Sequence, residues 1–214
     1  MILSNVDIKK SIKNKKILID PPPEALQINS SSLDLRLDTE FKEYDQGLVG
    51  QDGVRIDVDY SKFNFTKFSQ QYLKDLPRES DGSIIIKPKA FILAKTLERI
   101  TLPIESQLAA RVEGRSSGAR LGLVVHLSAP TIHAGFSGKI TLEIVNHGYT
   151  HIRLDPQKDK ICQIIFEKLS SKPTKANLSQ FQGQESVTGA STGGTRIKSK
   201  KKIIKTHTKT RRRK

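Results

Sequence analysis

The sequence has no tryptophan, a single cysteine and a single methionine, and aromatic residues reach only 6% of 214. One cysteine excludes an intramolecular disulfide, which fits a reducing compartment and predicts a cytoplasmic protein. Cys162 lies in the apolar run Ile161-Cys162-Gln163-Ile164-Ile165-Phe166, so a small core residue is expected there rather than a nucleophile. No apolar stretch has the length of a membrane span and no signal-peptide pattern opens the chain, so no membrane partner is expected. With so few aromatics, the core must come mainly from Ile, Leu, Val and Ala.

Acidic residues are also scarce, 22 against 37 Lys and Arg, for a formal charge of +15. That excess is local. Eleven Lys or Arg and no acid fall in 196–214, which leaves +4 for residues 1–195. A tail this charged and this poor in apolar residues is expected to be disordered. A weak contact with polyanions is the sharper alternative. Residues 1–190 then form one domain.

The apolar pattern predicts mainly strands. Ser4 can cap a short helix over 4–14, with Asp7 three residues on. Leu33-Asp34-Leu35-Arg36-Leu37 alternates with period two. Residues 45–82 are polar with scattered aromatics and read as irregular, an insertion over 45–80. Strands are expected at 83–87, 91–96, 107–112, 122–128, 138–146, 151–154 and 161–169, separated by turn residues. Short strands at this spacing indicate an all-β barrel or double sheet. Past Pro173 the chain turns polar and Gly-rich, which predicts a flexible arm over 174–195.

Two segments carry candidate chemistry. Gly114-Arg115-Ser116-Ser117-Gly118-Ala119-Arg120 packs two hydroxyls and two guanidinium groups into seven residues, donors suited to a triphosphate. A polar hairpin turn with surface Arg explains the same composition equally well. Glu143 stands in Gly138-Lys139-Ile140-Thr141-Leu142-Glu143-Ile144-Val145-Asn146, with Ile140, Leu142 and Ile144 on one face and Thr141, Glu143 and Val145 on the other. Facing solvent it is a surface charge; facing a cleft it is a general acid–base. His126, His133 and His147 do not have a recognised zinc spacing, and the H-x-E…P-C-x-x-C zinc signature is absent, so no zinc site is expected.

The segment 111–146 resembles the deoxycytidine triphosphate (dCTP) deaminases, a branch of the trimeric dUTPase-like superfamily. The likeness rests on Gly114-Arg115-Ser116-Ser117-x-Ala119-Arg120-Leu121-Gly122-Leu123, Val125-His126, Ala129, Ile132, Gly135-Phe136-x-Gly138, and Leu142-Glu143 with Asn146. It extends more weakly to Ile28-Asn29 with 33–37, to 96–103, and to Phe181-Gln182-Gly183-Gln184.

The resemblance implies a β-barrel-like subunit that trimerises with active sites between subunits. It implies zinc-independent hydrolysis of dCTP to dUTP and ammonia, which feeds dUMP and dTTP synthesis. Glu143 would be general base and acid, Arg120 would stabilise at the ring, and Ser116 and Ala129 would complete the catalytic set. Arg115, Ser116 and Ser117, with Gly118 and Ala119 in the same loop, would hold the triphosphate. The backbone of Leu127 and Ala129 would address the water and the amine, and Thr141 and Leu142 would frame the base. Gln184, and Gln180 where some relatives carry Lys, would belong to the closing arm. Mg2+ would arrive with the triphosphate, without protein side chains as ligands. The family likeness also implies dTTP as a feedback inhibitor. It further requires Glu143 to be buried or half-buried near Arg120.

His133 departs from the pattern, because many relatives have Asp there. In dUTPases and bifunctional deaminase–dUTPases that Asp orients the water that attacks phosphate. A histidine cannot do the same, so a deaminase without dUTPase activity is expected. The alternatives are a dUTPase or bifunctional enzyme, and a non-catalytic nucleotide- or nucleic-acid-binding protein of the same fold.

Overall fold

The computed structural model describes residues 1–49, 56–175 and 183–189. The chain opens with α1 (Asn5–Lys13), capped by Ser4, whose side chain accepts from the Asp7 backbone N–H while its hydroxyl donates to the Asp7 carboxylate at 2.7 Å. Twelve strands follow among the described residues: β1 (Leu18–Asp20), β2 (Leu33–Arg36), β3 (Lys42–Tyr44), β4 (Leu73–Asp75), β5 (Ile84–Ile86), β6 (Phe91–Thr101), β7 (Leu108–Gly114), β8 (Leu123–Val124), β9 (Thr131–Ile132), β10 (Ser137–Asn146), β11 (Ile152–Leu154) and β12 (Lys160–Lys168). Three short helices interrupt them, α2 (Gln46–Val49), α3 (Phe65–Tyr72) and α4 (Ser116–Arg120).

Every strand pairing is antiparallel. One sheet runs β4-β3-β6-β10-β8 with β1 also on β6, a second runs β2-β12-β7-β9, and β5 pairs with β11. The fold is mainly β, as the spacing of apolar runs predicts. Alternate residues of both larger sheets point into one cluster: Leu33 and Leu35, Leu108 and Val112, Leu142 and Ile144, Ile164 and Phe166. Fully burying each such side chain stabilises the fold by roughly 1.5–3 kcal/mol. Cys162 is among them, and burial, with the nearby Glu98 and Asp34 charges, pushes its thiol far up, so it is an inert core residue.

A carboxylate also lies in this core. Glu98 is fully buried, and both its oxygens are taken up. Arg36 donates from its backbone N–H and its Nε, each at 2.8 Å, and the Gln27 amide donates at 2.9 Å.

Sequence and structure differ in three places. The described residues of 45–82 are not wholly irregular, because they hold α2, α3 and β4. Asn64 caps α3 by accepting from the Lys67 N–H, and Phe65, Phe68 and Tyr72 fall at helical spacing. Phe68 packs on Tyr44 and Tyr72 with ring centroids 6.0 and 4.9 Å apart, and Tyr44 meets Phe91 at 5.7 Å. The strand expected at 122–128 shrinks to β8, and β9 forms after it. Within the Gly114–Arg120 segment, Gly114 ends β7 and Ser116–Arg120 form a short helix rather than a loop. The basic tail and the arm, apart from 174–175 and 183–189, lie outside the described residues.

Candidate active site

β10 crosses the middle of its sheet, with β6 on one side and β8 on the other. Between Lys139↔Arg99 and Thr141↔Lys95 it advances two residues while β6 advances four, which is a bulge beside the site. The Ile140 N–H, displaced from the ladder, donates instead to the Thr96 hydroxyl at 3.0 Å. Beyond the bulge the alternation resumes. Leu142 and Ile144 are buried, while Thr141, Glu143 and Val145 are half-buried on the other face.

That other face lines a cavity of about 450 Å³. β10 supplies Lys139, Thr141 and Glu143; β6 supplies Phe91 and Leu93; the 129–136 segment supplies Ala129, Thr131, His133 and Phe136; Tyr44 and Phe65 close one wall. Glu143 therefore faces a cleft and is not a surface charge. Among the described residues its carboxylate has no hydrogen-bond or ion-pair partner, so it is free to meet a ligand. Lys139 is held by Asp38 at 2.6 Å. Burial alone would raise the Asp38 carboxyl, but the Lys139 hydrogen bond, the Thr39 N–H and the charges of Lys139 and Lys95 outweigh it and hold the group below 3.8.

The described part of the arm lies against this cavity. Gly183 donates to the Ser137 carbonyl and Lys139 donates to the Gln184 carbonyl, at 2.8 and 3.0 Å. The Gln184 amide donates to the Thr141 hydroxyl at 2.6 Å. Ser186 donates to Glu40, Glu185 pairs with Arg99, and Lys95 bonds the Glu185 carbonyl. Val187 is fully buried and, with Gln184, lines the cavity. Gly138 permits this approach, because a Cβ there would stand 3.2 Å from the Gln184 backbone. Gln180 lies outside the described residues.

Residues 114–120 are elsewhere. None of them lines the cavity, and Ser116, Ser117, Ala119 and Arg120 are exposed. Arg120 is therefore not among the residues that share the cavity with Glu143 within one chain. The segment is nonetheless firmly anchored. Gly122, at φ +87°, passes so close to Gly148 that a Cβ on it would stand 2.4 Å from the Gly148 nitrogen, and the His147 N–H donates to the Gly122 carbonyl at 2.8 Å. Arg115 is partly committed. It donates to the Lys160 carbonyl at 3.1 Å and stands 3.6 Å from the buried Asp34 carboxylate, so it positions the segment. Ser116, Ser117 and Arg120 keep side chains with no partner among the described residues.

Two further expected site residues are not among those lining the cavity. Leu142 is fully buried in the core, so only its backbone can face the cavity. Leu127 is exposed and does not line the cavity, whereas Ala129 does. Sequence reasoning missed Tyr44, Phe65, Phe91 and Val187 as walls of the cavity. The helical spacing of Phe65, Phe68 and Tyr72 was the available signal for α3. Among the described residues no three His, Cys, Asp or Glu side chains gather to hold a metal ion. No described helix is long and apolar enough to cross a membrane.

Residues 2–169 match the family model described as dCTP deaminase-like. "dCTP deaminase, dUMP-forming" from Methanosphaera stadtmanae is 40% identical over 174 residues, covering 81% of this chain and 82% of that one. The protein of the same name from Methanothermobacter thermautotrophicus is 43% identical over 172 residues, covering 79% and 80%. The crystal structure of the 2'-deoxycytidine 5'-triphosphate deaminase from Agrobacterium tumefaciens aligns with a TM-score of 0.54 at 20% identity, over 77% of this chain and 47% of that one, and shows a shared fold.

Proposed function

The chain belongs to the dCTP deaminase-like family, and we propose on that premise that it deaminates dCTP hydrolytically to dUTP and ammonia at the cavity containing Glu143. The observation that carries this reading is the unpartnered Glu143 carboxylate, half-buried in a cleft with Thr141, Ala129 and Gln184 beside it. Glu143 takes a proton from a water as the resulting hydroxide adds to C4 of the cytosine ring, and passes that proton to ring N3. The carboxylate then takes the remaining proton from the C4 hydroxyl and delivers it to the exocyclic amine, which leaves as ammonia while the C4 carbonyl forms. The walls formed by Phe65, Phe91, Leu93 and Val187 exclude bulk water, which strengthens each polar contact within.

In this reading the oxyanion and triphosphate donors come from a second copy of the chain, which is consistent with Arg120, Ser116 and Ser117 not lining this chain's own cavity. A homotrimer with shared sites satisfies that requirement. Magnesium would accompany the triphosphate of the substrate, as suits a hard cation and phosphate oxygens.

The relatives carry names ending in dUMP-forming, which makes further hydrolysis to dUMP the second reading. His133, which lines the cavity where a carboxylate would orient the attacking water, favours release of dUTP.

The test is release of ammonia and uracil nucleotides from dCTP with magnesium, wild type beside Glu143→Gln. Ammonia and dUTP from wild type alone are expected. Conversion onward to dUMP would refute the role given to His133, and equal turnover by Glu143→Gln would refute the role of Glu143. Mixed oligomers of Glu143→Gln and Arg120→Ala chains should regain about a quarter of the wild-type sites, one mutation falling on each side of a shared site. Failure to regain any activity would refute shared sites.

A further inference from the structure

A second cavity, of about 260 Å³, shares no lining residue with the first. It lies between the second half of α1, Ser106 and Leu108 at the start of β7, and Lys168 at the end of β12. Three lysines are among its lining residues, Lys10, Lys16 and Lys168, against one acidic residue, Asp7. Among the described residues none of the three lysines is ion-paired. The Asp7 carboxylate already accepts the Ser4 hydroxyl at 2.7 Å.

Ser106 lines the same cavity and is only 9% exposed. Its Oγ is buried without a hydrogen-bond partner. A hydroxyl removed from water and left unbonded costs stability, so such a group points to a partner that completes it.

Lysines near a helix C-terminus also serve the helix dipole, and a bare C-terminus would repel an anion. Here that repulsion is blunted, because the last carbonyls are already bonded. Asn14 donates to Lys10, Lys15 to Ile12, and both Lys16 and Ile17 to Ser11. The net excess of two positive charges lining the cavity matches a phosphate dianion, the major form of a phosphomonoester at neutral pH.

We propose that this cavity binds the phosphate group of a small molecule. Lys10, Lys16 and Lys168 supply charge, and the Ser106 hydroxyl donates to a phosphate oxygen. The concave shape suits a compact ligand better than a nucleic-acid backbone.

The test titrates the full-length protein at low salt with inorganic phosphate and, separately, with ribose 5-phosphate. The readout is the backbone amide resonances of Ser106, Gln107 and Leu108, which distinguish this cavity from the nucleotide site. Saturable shifts at those amides are expected with one or both probes, and the tighter probe identifies the source of the phosphate group. Lys10→Gln with Lys168→Gln should weaken binding by roughly tenfold or more, as the loss of charge-assisted bonds requires. Lys168→Arg should retain it, and Ser106→Ala should weaken it measurably. Turnover of dCTP should be unchanged in all of these variants. Absence of shifts in wild type, or equal affinity in the double variant, would overturn the proposal. So would tighter binding of a single-stranded oligodeoxynucleotide at the same amides.

Discussion

Truncating Val187 to alanine tests whether the arm is held at the cavity by packing. Val187 is fully buried and is the apolar residue by which 183–189 enters the cavity wall. The substitution removes two methyl groups, at about 0.8 kcal/mol each, so docking should weaken by about 1.6 kcal/mol. That is a little over tenfold in the ratio of docked to undocked arm. Glu185 offers a direct readout, because in the docked state it pairs with Arg99 and its carbonyl bonds Lys95. Cleavage by a glutamate-specific protease after Glu185 requires the arm to leave. In the regime of rapid opening, its rate should rise about tenfold in Val187→Ala. The loss in kcat/KM for dCTP should not exceed that factor, and the melting temperature of the body should hardly move. An unchanged cleavage rate would refute the reasoning. So would a large drop in melting temperature without faster cleavage, since Val187 would then be part of the folding core and not of a dockable segment.

Other outcomes follow from the charged groups. Arg36→Met strips the buried Glu98 carboxylate of its guanidinium partner, and chemical denaturation should show a loss of about 3–5 kcal/mol. The second variant, Arg36→Met with Glu98→Leu, should recover much of it. Asp38, held below 3.8 by its lysine partners, contributes stability that is complete above that value and is lost as pH falls through its lower folded value. The stability gap between wild type and Asp38→Asn, followed by urea unfolding from pH 6 to pH 3, should therefore be widest at the upper end and shrink on acidification. A gap that widens on acidification would contradict the assigned sign.

Much of the sheet was legible because alternation is strict where one face is buried. Leu33, Leu35 and Leu37, and Ile140, Leu142 and Ile144, announce their strands directly. Glu143 could be placed on the face opposite Leu142, but periodicity could not say whether that face met solvent or a cavity. That depends on Tyr44 and Phe65, which reach the site from distant parts of the chain. α3 was obscured because its aromatics sit among Thr, Lys, Ser and Gln, and the polar majority masks the helical stripe. The make-up of the cavity wall was also hidden. The likeness to a family groups Arg120 with Glu143, whereas in a single chain Arg120 is not among the residues lining the cavity.

Gly138 has a consequence for how the arm is recognised. Without a side chain at that point, the arm meets the body partly main chain to main chain, through the Ser137 carbonyl and the Lys139 N–H. Backbone recognition of this kind is indifferent to most side chains, as in strand addition to a sheet edge. The arm then behaves as a tethered peptide ligand. Its occupancy reflects the effective concentration that its connection to the body imposes as much as its own affinity. Lengthening the connection would dilute the arm without altering a single contact, and a free peptide of the same sequence would compete for the seat.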